Sequence, residues 1–207
     1  ATRLPKKDYE ARVPALRGAL VQMQVELQHA PFPILLVVAG DEASGKGDVV
    51  NLLNAWLDPR GVETFAFHEP TDEERERPPM WRYWRCLPPR GRMAIYAGGW
   101  HADALRANPH TPGELDHFAE RLRLFAHFER LLADGGALIV KVWLQLSQAA
   151  QHERLLALES DPDTAWRVTA EDWQHNRDYE HHARLSEQMR RATHKPGVPW
   201  HVIDATD

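Results

Sequence analysis

The chain has 207 residues, enough for one α/β domain with a full core and few for several. Hydrophobic residues make up 43% and charged residues 27%, which excludes an intrinsically disordered chain. A net charge of −5 argues against a generic nucleic-acid binder, and no apolar run approaches the length of a membrane span.

Val13, Leu16, Leu20, Met23 and Leu27 stand at helical spacing and predict an amphipathic helix over 8–29, within an N-terminal segment 1–30. The apolar run 34–39 predicts a buried strand, followed by a helix over 45–57 and a turn at Pro59-Arg60-Gly61. Alternating Val62, Thr64 and Ala66 mark a second strand over 62–67. Thr71-Asp72-Glu73-Glu74 reads as a capping box opening a short helix, which Pro78-Pro79 breaks. A further helical piece over 81–87 ends at Pro88-Pro89-Arg90-Gly91, and residues 93–97 form a third strand. The stretch 101–111 has no clear periodicity and is expected to be loop, inside a lid region at about 98–112. Thr111-Pro112-Gly113-Glu114 starts a helix that runs to Asp134 and stops at Gly135-Gly136. Residues 137–146 form a long strand, Ser147 caps a helix to Glu159, and Thr169 caps a single helix to Ala192. Residues 200–203 form the last strand. Strands alternating with helices, most of the strands continuously apolar, predict a mostly parallel sheet covered on both faces.

The segment Gly40-Asp41-Glu42-Ala43-Ser44-Gly45-Lys46-Gly47 lies between the first strand and its helix. Its spacing is G-x-x-x-x-G-K, and strand, glycine-rich turn, lysine and helix together make a phosphate cradle. Gly40, Gly45 and Gly47 allow a tight turn, and Ser44, Gly45, Lys46 and Gly47 offer N–H groups to an anion at the helix start. Lys46 supplies a point charge for a terminal phosphate. Gly47 stands where such loops place a Ser or Thr hydroxyl for magnesium. The fold expected is therefore a three-layer α/β P-loop kinase fold, similar to nucleoside and thymidylate kinases.

Smaller signals divide between function and packing. Arg75, Arg77, Arg82, Arg85, Arg90 and Arg92 crowd one stretch, so Arg82, Arg85 and Arg90 are candidate polyanion contacts or part of a solvated face. Leu115, Phe118, Leu122, Phe125 and Leu132 share one side of a helix, facing either the sheet or a partner surface. His175, His181 and His182 match no zinc spacing and are expected to be solvated. The single Cys86 excludes an internal disulfide, fits a reducing cytoplasm, and has no evident base beside it.

Several ordered blocks resemble the polyphosphate kinase 2 family over nearly the whole chain. The loop resembles that family's E-G-x-D-A-A-G-K-G, including the glycine after lysine. Leu57-Asp58-Pro59-Arg60-Gly61, Pro70-Thr71-Asp72-Glu73-Glu74, Arg82-Tyr83 with Leu87-Pro88, Phe128-Glu129-Arg130-Leu131-Leu132, Lys141 to Leu144 and Asp161-Pro162 to Trp166 follow the family's other segments in order. The resemblance implies phosphoryl transfer between inorganic polyphosphate and a nucleotide, with magnesium as cofactor and a mobile helical lid.

The chain also departs from that pattern. Where the family has F-D-R-S-W-Y-N-R, this sequence has Tyr96-Ala97-Gly98-Gly99-Trp100-His101-Ala102-Asp103. The expected acid is Ala97, the expected arginine is Gly98, the loop aspartate is Glu42, and Asp103 adds a negative charge expected to repel polyphosphate. Phosphoryl transfer depends on positioning and on cations that neutralise oxygens, so these losses bear on turnover. Two readings stay open. One is the N-terminal, catalytically degenerate domain of a two-domain polyphosphate:AMP phosphotransferase, which serves binding, regulation or assembly, with magnesium binding in doubt. The other is an active kinase using Lys46 and a non-standard metal site at Glu42, with Asp41 or Asp48 as further substitutes. A start without methionine and an end at Ile203-Asp204-Ala205-Thr206-Asp207, just past the last strand, suggest a piece excised from a longer chain. A catalytic second domain, or a further copy in a homo-oligomer, is the expected partner.

Overall fold

In chain order the elements are α1 (Lys6–Leu27), β1 (Ile34–Gly40), α2 (Lys46–Trp56), β2 (Val62–Ala66), α3 (Asp72–Arg75), α4 (Trp81–Trp84) and β3 (Met93–Ala97). Then come α5 (Gly99–Arg106), α6 (Pro112–Asp134), β4 (Leu138–Gln145), α7 (Gln148–Ser160), a 3-10 turn (Ala165–Arg167), α8 (Ala170–Arg177), α9 (Tyr179–Thr193) and β5 (Trp200–Asp204). This computed structural model describes residues 4–206, so residues 1–3 of the expected N-terminal segment and Asp207 lie outside it. No helix among the described residues is long and apolar enough to cross a membrane.

The strands pair in the order β2-β3-β1-β4-β5, each pair parallel. Side chains alternate along a strand, so β1 sends Leu35, Val37 and Ala39 into one core and Ile34, Leu36 and Val38 into the other. The first core lies under α5, α6 and α9, and the second under α1 and α2. Strand order reverses at β1, which opens a crevice beyond its carboxyl end, where the chain continues into Gly40 and the loop.

Local sequence explains most element boundaries. Thr71, Thr111 and Thr169 each close a capping box, and the Ser147 hydroxyl accepts from the Ala150 N–H. Phe118, Leu122, Phe125 and Leu132 are buried, so this side of α6 packs against the sheet. The Leu57-to-Gly61 turn is structural: Gln24 donates to the Asp58 carbonyl and accepts from the Asp58 N–H, pinning α1 to the turn.

Two expectations are corrected. Of the stretch 101–111 expected to be loop, residues 101–106 belong to α5, which buries Trp100, His101 and Ala104. The helix is short and opens on Gly98-Gly99, both with positive φ, so its pattern is too brief to read. The single helix expected over 169–192 breaks at Asp178 into α8 and α9. The break uses neither Gly nor Pro, so no local signal marks it.

Candidate functional site

The loop sits where the strand order reverses. Gly40 ends β1 so close to β4 that a Cβ there would lie 2.4 Å from the Leu144 carbonyl oxygen, so only glycine fits. Gly45 caps α2 at φ +86, and Ala43 holds φ +55, a left-handed conformation rare for a residue with a Cβ. The surroundings hold this shape. Arg154 donates to the Ala43 carbonyl at 3.2 Å and Gln151 to the Glu42 carbonyl at 3.2 Å. The Asp41 carboxylate accepts from the Leu146 N–H at 2.8 Å.

The loop lines a cavity of about 180 Å³. Gly40, Asp41, Glu42 and Lys46 form its floor, and Gly98, Ala102 and Arg106 one wall. Glu171 and His175 of α8, with Tyr179, His182 and Ser186 of α9, complete it. Lys46 Nζ donates to the Gly40 carbonyl at 3.0 Å and to Glu42 Oε2 at 3.1 Å. Burial pushes the Glu42 carboxyl up, but Lys46, with His175 and His182, outweighs it and holds the group below its ordinary range. Burial raises Asp41, and the Leu146 N–H and Arg190 only partly oppose it.

The expected site residues do not all converge. Ser44 is 3% exposed, and its Oγ is buried without a hydrogen-bond partner rather than lining the cavity. Ala97 packs against the second core and offers no oxygen. Gly98 has φ +73, and a Cβ there would lie 2.8 Å from the Ala102 Cβ, so an arginine does not fit this backbone. Arg82 is turned inward: it donates to the His68 carbonyl at 2.9 Å and lies 3.5 Å from Glu74 and 3.7 Å from Asp103. Arg85 stacks over Trp81, and Arg90 lies in the turn before β3, at the sheet end away from the loop. None of these three arginines lines the cavity. Asp103 is not the free repelling charge expected. It accepts from Tyr83 and from Arg106, the latter at 2.8 Å, with Arg82 also nearby.

Sequence reasoning missed the roof. His175, Tyr179, His182 and Ser186 follow one another at helical spacing, which was the signal available. His175 and His182 were expected to be solvated, yet both face the cavity with ring centroids 4.1 Å apart. Burial, then the charges of His175 and His181, pushes His182 down to about 4.

The magnesium implied by the resemblance needs oxygen donors. Gly47 and Ala97 carry no side-chain oxygen, Asp48 lies 3.3 Å from Arg167, Asp41 accepts from a backbone N–H, and Glu42 is paired with Lys46. Among the described residues, no three His, Cys, Asp or Glu side chains are grouped to hold a metal ion. This donor set does not fit a protein-held magnesium.

A five-stranded parallel sheet in this order, with a glycine-rich lysine loop at its central strand, defines a P-loop kinase fold. The family model for polyphosphate kinase 2 (PPK2) matches residues 3–207. The chain belongs to the polyphosphate kinase 2 family. It is 40% identical over 205 residues to a polyphosphate:AMP phosphotransferase of Pseudomonas aeruginosa, covering 99% of this chain and 41% of that protein. An ADP-polyphosphate phosphotransferase of the same organism is 28% identical over 204 residues, with 99% of this chain and 67% of that one covered. A crystal structure of polyphosphate kinase 2 from Arthrobacter aurescens TC1 superposes with a TM-score of 0.90 at 27% identity, covering all of this chain and 75% of the other. The chain thus spans about two fifths of the polyphosphate:AMP phosphotransferases it matches.

Proposed function

We propose that this chain is a phosphate-binding domain of a polyphosphate:AMP phosphotransferase and that it does not itself carry out transfer at kinase rates. The observation that carries this reading is the state of Lys46, whose ammonium is closed onto Gly40 and Glu42 beside a strand end that offers Ala97 and Gly98. The loop keeps its shape and its cation, so it retains the means to bind an anion. The acid and arginine that phosphoryl transfer would use are missing, and the backbone at 98 does not accept an arginine. The polyphosphate:AMP phosphotransferases at 40% identity support the choice of polyphosphate and AMP as the ligand class.

Two measurements on the purified chain test this. Calorimetry with tripolyphosphate is expected to show binding that Lys46→Ala abolishes. AMP phosphorylation from polyphosphate and magnesium is expected to stay at background. Turnover in the ordinary kinase range of about 1–100 s⁻¹ would overturn the proposal, as would equal binding by Lys46→Ala.

A further inference from the structure

Phosphate binding by the loop leaves one part of the cavity unexplained. His175 and His182 come from different helices, α8 and α9, yet their rings meet at 4.1 Å on the wall that looks onto Glu42 and Lys46. His182 Nε2 is buried and has no hydrogen-bond partner. A buried, unpaired polar nitrogen costs stability unless a ligand satisfies it.

Resting on the reading that the loop binds phosphate, we propose that His175 and His182 are the second half of an oligophosphate site. One end of the chain takes Lys46 from Glu42. The other end reaches the imidazole pair, and His182 takes up a proton as it binds.

The surrounding charges set up this exchange. Asp41, Glu42 and Lys46 face the pair from the loop, and Arg106 from α5. On α8, Glu171 lies 3.7 Å from His175 Nε2, and Asp178 sits at the junction with α9. On α9, His181 lies 5.8 Å from His182, stacks on His110 at 4.2 Å, and is itself lowered by burial and by His110. Glu42 and Asp178 favour a charged His182, but burial and the neighbouring imidazoles outweigh them, so the unliganded ring is neutral near pH 7. An oligophosphate brings several negative charges to the same wall and reverses that balance. An oligophosphate offers separate phosphate groups to Lys46 and to the pair, whereas orthophosphate offers one.

Linkage gives the sign. Binding that raises an imidazole pKa takes up a proton, and affinity then rises as pH falls, by at most tenfold per unit. Calorimetry with tripolyphosphate, in two buffers of different ionisation enthalpy, is expected to show net proton uptake near about pH 6. Affinity is expected to gain roughly fivefold or more between about pH 7.5 and about pH 5.5, beyond the ligand's own titration. The H175Q/H182Q double variant reads that background, and orthophosphate should show the background alone. Glu42→Gln is expected to bind more tightly at the higher pH, because Lys46 is freed, and to keep the proton uptake. Proton NMR of the His182 ring on the intact chain is expected to show its pKa rising when tripolyphosphate is added.

An unchanged slope in the double variant, a slope lost in Glu42→Gln, or a His182 ring that does not respond would each overturn the histidine site. Tripolyphosphate binding that depends on Lys46 but is flat with pH would overturn only this inference. Absence of binding at every pH would overturn the phosphate reading as well.

Discussion

Glu129 and Lys141 show what a single residue does in this core. Both are fully buried, their charged atoms lie 2.6 Å apart, and Lys141 also donates to the Thr193 carbonyl at 2.7 Å. Trp100 donates to the other Glu129 oxygen at 3.1 Å, and His101 Nε2 lies 2.9 Å from it. Burial alone would raise the Glu129 carboxyl, but His101 and Lys141 hold it down. Four elements, α5, α6, β4 and α9, are joined at this point. Removing one partner strands a charge in the interior, so Glu129→Ala is expected to lose about 3–5 kcal/mol, read as a lower urea midpoint with an unchanged slope. Replacing both with apolar residues, E129L/K141M, is expected to recover most of that loss. A Glu129→Ala chain as stable as the parent would show that the pair contributes little. The Phe128-Glu129-Arg130 and Lys141-to-Leu144 blocks were legible as family marks, but their pairing was not. The two side chains belong to different elements, and only tertiary packing brings them together.

At the scale of the element, β3 and α5 hold the departure that matters for function. The family resemblance made Ala97 and Gly98 readable as a missing acid and a missing arginine. It did not show that the turn had been rebuilt around glycine. Gly98 adopts φ +73 and caps α5, with the Ala102 Cβ filling the space a side chain would use. Restoring the arginine is therefore expected to destabilise the chain by about 1–3 kcal/mol, measured by chemical denaturation, and to leave AMP phosphorylation at background. A Gly98→Arg chain of unchanged stability would show that the backbone relaxes freely there. The break at Asp178 works in the same way. It turns one long polar pattern into two helices, and residues on both, His175 and His182 among them, line the cavity with the loop.

For the whole molecule, buried histidines couple stability to pH. Burial keeps His101 below its ordinary value, and His182 is pushed down to about 4. An unfolded histidine titrates near about 6.5, so below that pH the unfolded chain binds more protons than the folded one. Stability is then complete above about pH 6.5 and is lost as pH falls toward 4. Thermal melts across this range are expected to show a falling midpoint, with a shallower fall in His182→Gln. A midpoint insensitive to pH over that window would mean that these rings are not held neutral. Tripolyphosphate is expected to protect more at the acid end, because a ligand that binds only the folded chain stabilises it in proportion to its affinity.

The sequence by itself determined the alternation of strands and helices, the four hydroxyl caps and the phosphate loop. Each of these depends on neighbours a few residues apart, through periodicity, turn chemistry and capping. Family resemblance added the two positions where the loop's partners are missing. The tertiary structure alone decided where the charges go. Lys46 closes on Glu42, Asp103 is paired with Arg106 and with Arg82, the latter once expected to bind polyanion, and two histidines from separate helices meet above the loop. Several of these partners are close in sequence, but which way their side chains turn, and the meeting of Arg82 with Asp103, depend on burial and packing that local patterns do not encode.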